Sequence, residues 1–259
     1  MKAREKNRSP LSAAALRVPG QSIDAEIDDV AYDGLLGPYL FASVFLLLAA
    51  LEWWRDAMNM KPAPWLFTLA AVGATLYAVV RGTLTLRRLK ALKLGREGER
   101  AVAQYLEWFR TTGFFVLHDV PNDGANIDHV LLGTKGLFTI ETKTISKPAR
   151  GECKVRVADG QVRVNGKVVD RDPLVQAKAQ ARWLSNFLTE ARFRPFVQPV
   201  VVFPGWFVEP FDMKAAGVWV LEPKALDRFI EGQPERHSRD EVKAMASALS
   251  SYVRSKAKV

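Results

Sequence analysis

Asp128, Glu141 and Lys143 lie close together in the sequence and are of types that could do chemistry together. They belong to the stretch NIDHVLLGTKGLFTIETKT, which reads as two short apolar strands joined by a tight turn at Thr134-Lys135, between Gly133 and Gly136. That turn sets a register in which Asp128 stands directly across from Glu141, with Cβ atoms about 4.5–5.5 Å apart. Side chains alternate along a strand, so Glu141 and Lys143 share a face and Phe138 and Ile140 point together to a core. Like charges opposed across a sheet are destabilising. A divalent cation resolves the repulsion, because two carboxylates, a backbone carbonyl and waters make an oxygen-rich site suited to Mg²⁺, with Mn²⁺ as a substitute. Lys143 could then hold a scissile phosphate or stabilise an attacking hydroxide, which is the chemistry of phosphodiester hydrolysis. The same spacing describes an exposed, salt-bridged strand face, and spacing alone favours that plainer alternative.

Such a hairpin needs a domain around it. The chain has 259 residues, 48% of them hydrophobic and 25% charged, enough for one sizeable core and something more. The single cysteine, Cys153, excludes an intramolecular disulfide framework and a Cys-rich zinc site. No Gly-rich phosphate loop of the Walker type and no Ser/His/Asp arrangement is present. The net charge is +9, and the first 80 residues are close to neutral, so the positive charge rests on residues 81–259. A polyanion such as nucleic acid is a natural partner for that part, with anionic lipid as the other.

Residues 35–54 and 64–83 are two nearly uncharged apolar runs, long enough to cross a bilayer core of about 20 residues. Trp53 and Trp54 would sit at an interface. Arg87, Arg88, Lys90, Lys93 and Arg96 follow the second run, and such a cluster favours the cytoplasmic side. The expected organisation is a flexible cytoplasmic tail over 1–34, two transmembrane helices within 35–86, a basic linker over 87–95 and a soluble domain from 96 onward. The N-terminus and that domain would both face the cytoplasm from a multi-pass inner membrane protein.

In the soluble half, Val102, Leu106 and Phe109 recur on one face of a helix over 96–111. Strands are expected over 114–120, in the two halves of the first hairpin, over 197–204 and over 217–223. A second hairpin over 153–169 carries Asp159-Gly160 and Asn165-Gly166, both hairpin turn signals. Asp172 followed by Pro173 caps a helix running to 191. Two more helices, about 224–231 and 238–256, end the chain. This order predicts an α/β domain with helices covering a mixed sheet.

Five pieces in order resemble the nuclease-related domain (NERD) family, a branch of the Asp…(Asp/Glu)-x-Lys nuclease superfamily. They are the Gly95–Glu99 stretch opening the first helix, Asn126–His129 on a strand, the Gly133/Gly136 turn, Ile140–Lys143, and Asp172–Gln176 opening the next helix. The resemblance spans residues 95–180. It implies a restriction-endonuclease-like mixed sheet, with a nuclease-like core expected over 96–205. The element pattern, not the resemblance, adds residues 206–259 to complete the domain and the transmembrane hairpin before it. It implies Asp128, Glu141 and the Thr142 carbonyl as metal ligands and Lys143 as the catalytic lysine. Glu99 would orient a metal-bound water, and Gln176 would lie near the same centre. Asp172 stands where the family usually has Asn, and the glycine that often follows the Glu-x-Lys strand closely is delayed to Gly151.

The expected activity is therefore Mg²⁺-dependent nucleic-acid hydrolysis at a membrane, with DNA favoured. The alternatives are a tethered nucleic-acid-binding module without catalysis and a membrane-surface interaction domain. His129 should face away from Asp128, and His118 is expected to be structural. Gln180, one turn after Gln176, reads as a solvated position. Arg150, Lys154, Arg156, Arg163 and Lys167 make the second hairpin basic, which suits either a phosphate backbone or plain solvent. Trp206 and Phe207 could stack on a base or pack in a core.

Overall fold

The computed structural model describes residues 16–61, 63–148 and 153–256. Residues 1–15 of the expected tail, and Arg150 and Gly151, lie outside them. The chain divides into two units, Ser22–Arg96 and the remainder.

The first unit is helical. Helix α1 spans Gln21–Ala31, a π-helical turn follows over Tyr32–Leu36, α2 spans Gly37–Ala57, and α3 starts at Pro64. The tail expected over residues 1–34 thus contains a helix. Its ion pairs come from far along the chain, Arg96 to Asp24 at 2.8 Å and Arg88 to Glu26 at 2.6 Å, and no local periodicity reveals them. Small residues, Ala42, Ala74 and Ala78, pack together with Phe45, while Leu47, Leu51, Leu69 and Leu76 point outward. Two helices, Gln21–Ala57 and Pro64–Thr111, are long and apolar enough to cross a membrane.

Helix α3 runs unbroken from Pro64 to Thr111. The expected second span, basic linker and first domain helix therefore fall in one element, which has no Pro after Pro64 and whose glycines, Gly73, Gly82, Gly95 and Gly98, do not end it.

The remaining unit is built on a five-stranded mixed sheet. Its strands are β1 Phe115–Pro121, β2 Asn126–Gly133, β3 Gly136–Thr142, β7 Val197–Val202 and β9 Trp219–Leu221, in that spatial order. The first three are antiparallel and the last two join in parallel. A smaller sheet holds β4 Lys154–Ala158, β5 Gln161–Val164, β6 Lys167–Val168 and β8 Phe207–Val208, in the order β6-β5-β4-β8. Its hairpins turn at Asp159-Gly160 and Asn165-Gly166, all four residues at positive φ as the two-residue turn requires.

Helices cover both faces of the large sheet. Val102, Leu106 and Phe109 of α3 pack on Phe138 and Ile140, the core face expected for the first hairpin. Helix α6, Leu226–Glu231, joins them there. On the other face, α4 (Pro173–Glu190) and α7 (Arg239–Lys256) bury Leu184, Leu188 and Leu249 against Val130 and Leu137. A short helix α5, Met213–Ala216, precedes β9. The fold is the mixed α/β architecture that the sequence pattern predicts.

Candidate functional site

The first hairpin turns where its glycines stand. Gly133 pairs with Gly136 and His129 with Ile140, which brings Asp128 and Glu141 level on the face toward α4. A Cβ at Gly133 would run into the ring of Phe114, so only glycine lets this residue, just before β1, lie so close to the turn. Gly98 is held free of a side chain for a similar reason. A Cβ there would run into Thr144, so α3 lies directly against the chain leaving Lys143.

Each group at the centre has a partner. Asp128 Oδ2 accepts from the Thr142 N–H at 2.7 Å. Lys143 Nζ donates to Glu141 Oε1 at 2.7 Å and to Gln176 Oε1 at 2.9 Å. Gln180 Nε2 donates to Glu141 Oε2 at 2.6 Å. Helix α4 supplies both glutamines because its cap fixes where it starts, with Asp172 accepting from the Leu174 N–H at 2.9 Å and Pro173 in the first turn. Gln176 and Gln180 are then one turn apart on the face toward β3.

Glu99, from α3, joins the same electrostatic group. Burial, then the charges of Asp119 and Glu141, push its carboxyl up to about 7, against the pull of Lys143. Asp128 is pushed well above the usual carboxylate range by desolvation, then by Glu141 and Glu99, with the Thr142 N–H and Lys143 opposing. The centre therefore holds more acid than its ammonium balances. Such groups are poised to take up positive charge.

Glu99, Asp128, Glu141, Lys143 and Gln176 are thus gathered in one place. Thr142 contributes its N–H to Asp128, and its buried Oγ1 has no hydrogen-bond partner. His129 points away from Asp128, as strand alternation dictates, and its Nδ1 meets His118 Nδ1 at 2.9 Å. Two residues escape sequence reasoning. Gln180 is buried rather than solvated, and its Oε1 is left without a partner. The helical spacing from Gln176 was the available signal. Asp119 is buried at a positive φ, level with Asp128 across β1 and β2, where Arg17 Nη1 and Asn126 Nδ2 donate to it at 3.2 and 3.1 Å. Nothing local in the sequence marks Asp119 as part of this group.

The donors fit a hard divalent cation. They are oxygens only, they carry excess negative charge, and one of the amide oxygens beside them is buried and unpartnered. Two carboxylates form the pair; among the described residues no three His, Cys, Asp or Glu side chains converge at metal-ligand spacing.

Residues 94–204 match the model of the nuclease-related domain family, NERD. This is the family that the motif order resembles. The NERD segment contains every candidate site residue, from Glu99 to Gln176, and the adjoining Gln180. It leaves the apolar helices and α7 outside. No curated protein and no solved structure matches the chain.

Proposed function

We propose that this NERD domain hydrolyses nucleic-acid phosphodiester bonds at the face formed by Asp128, Glu141 and Lys143, with DNA as the favoured substrate. The observation that carries the proposal is the surplus of desolvated carboxylate around one ammonium, which keeps Asp128 and Glu99 above their ordinary acid range. Asp128, Glu141 and the Thr142 carbonyl would hold Mg²⁺, for which Mn²⁺ could substitute. A cation there supplies a bound water of lowered pKa and polarises a phosphoryl oxygen.

The chain's own residues do the rest. Gln180 fixes Glu141 through one oxygen and leaves the other to Lys143. Gln176 steers the Lys143 ammonium, which balances charge on a scissile phosphate brought to this face. Glu99, whose carboxyl is pushed up by burial and by the Asp119 and Glu141 charges, would orient the attacking water.

The two apolar helices would anchor the domain as a multi-pass protein of the cytoplasmic membrane. The basic residues from Arg87 to Arg96 support a cytoplasmic position for the domain and the N-terminus. A domain that holds nucleic acid without cutting is the second reading, and it draws on the lack of three converging ligands among the described residues. Incubating the purified full chain with supercoiled plasmid and with single-stranded RNA, in Mg²⁺ or EDTA, separates the two. Metal-dependent cutting of plasmid before RNA is the expected result, and binding without cutting would favour the second reading.

A further inference from the structure

The small sheet has two unlike faces. Val155, Val162 and Val164 point inward and are buried with Leu174 and Ala177 of α4. Alternation then sends Lys154, Arg156 and Arg163 to the outer face. Arg156 stands directly across from Arg163, an arrangement that costs sheet stability. Glu209 Oε2 meets Arg156 Nε at 2.6 Å and offsets part of that cost. Beside Lys154, on the edge strand β8, stands Phe207, 60% exposed, although its neighbour Trp206 is buried. Opposed cations next to an outward aromatic ring suit a chain of phosphates whose bases are free to stack.

This face is tied to the carboxylate centre. Leu174 and Ala177, which carry the inner face, flank Gln176, whose amide holds Lys143. The Trp206 indole donates to the Ile145 carbonyl at 3.2 Å, two residues beyond Lys143, and Phe207 is the next residue. The Lys147 ammonium lies beside Gly205, two residues before Phe207.

We propose that the outer face of the small sheet binds a single-stranded nucleic-acid segment running to the carboxylate centre, with Lys154, Arg156 and Arg163 on phosphates and Phe207 stacked on a base. A paired base stays stacked in its duplex and is not free for Phe207, so the segment on this face is single-stranded, supplied in a supercoiled plasmid by a locally unpaired stretch. The proposal deepens the nuclease reading and rests on it for the identity of the polyanion.

The test is binding of a fluorescent single-stranded oligodeoxynucleotide to the full chain in detergent, in EDTA, over a range of salt. An oligonucleotide of equal length without bases is the companion probe. Phe207→Ala should weaken binding to the first by about 5-fold or more and leave binding to the second unchanged. Lys154→Gln with Arg163→Gln should lower the salt slope of log K by about 0.7 for each lost contact. The proposal is overturned if the unaltered chain does not bind, if these variants bind as it does, or if Phe207→Ala costs both probes equally. No metal is present, so failure to cut does not enter. If the chain binds as stated but cuts nothing with Mg²⁺, the catalytic reading falls and the face stands. If it cuts and the face variants bind unchanged, the face alone falls.

Discussion

Gln180 Nε2 stands 2.6 Å from Glu141 Oε2, while Lys143 holds the other oxygen of the same carboxylate at 2.7 Å. Glu141 is thus gripped from both sides, one grip neutral and fixed, the other charged and within reach of a substrate. Gln180→Leu removes the fixed grip and strands a buried carboxylate oxygen. A hydrogen bond to a charged group contributes about 1.5–3 kcal/mol. The variant should unfold at lower temperature, and its cleavage should fall in kcat more than in KM, because Glu141 positions the reacting groups rather than the distant substrate.

The register of the first hairpin was legible because two glycines and a strict alternation leave few ways to pair β2 with β3. The core face of α3 was legible from Val102, Leu106 and Phe109, and both tight turns of the second hairpin from their Asp-Gly and Asn-Gly pairs. What escaped depends on distant partners. Helix α1 is joined by ion pairs to residues more than sixty positions away. Gln180 looks solvated until α4 is laid on β3. Asp119 joins the carboxylates through the β1–β2 pairing and a positive φ, neither of which has a local signature.

His118 and His129 face each other on β1 and β2, and burial holds both below the ordinary histidine pKa, while Glu107 pulls His118 the other way. Below about pH 6.5 the unfolded chain takes up protons that these buried rings refuse, so their contribution to stability is lost as pH falls. The raised carboxyls, Asp128 and Glu99, act in the opposite direction, so the comparison needs a variant. In EDTA, His129→Leu should show a smaller fall in Tm from pH 7.5 to 5.5 than the unaltered chain. An equal fall in both would mean that the rings are not protected from protonation.

Gly98 brings α3 against Thr144, one residue past Lys143. Gly98→Ala should therefore displace the chain at Lys143 and reduce cleavage, even though Ala is the better helix former by about 1 kcal/mol. Adding Thr144→Gly removes the atoms that the new Cβ meets and should recover part of the loss. A double-mutant cycle on cleavage rate and Tm measures the coupling, and additive effects would place the cause elsewhere.

The proposed membrane anchoring makes a separate forecast. Large apolar side chains such as Leu47, Leu51 and Leu69 face outward from α2 and α3. The chain should sediment with membranes through a high-salt wash, and a protease should reach the NERD domain only after the cytoplasmic face is opened. Release by salt alone would show attachment by charge and not by spans.

The most direct measurement of the central claim is plasmid cleavage by the full chain beside Lys143→Ala, with each protein first shown to be folded by its thermal transition. Lys143 is partly exposed and bridges Glu141 and Gln176, so its loss should spare the fold more than the chemistry. Cutting that requires Mg²⁺ or Mn²⁺, stops with EDTA and falls by at least about 100-fold in Lys143→Ala is the predicted result. Full cleavage by Lys143→Ala would contradict the account, because the opposed carboxylates and their lysine would then not be where the phosphodiester is broken.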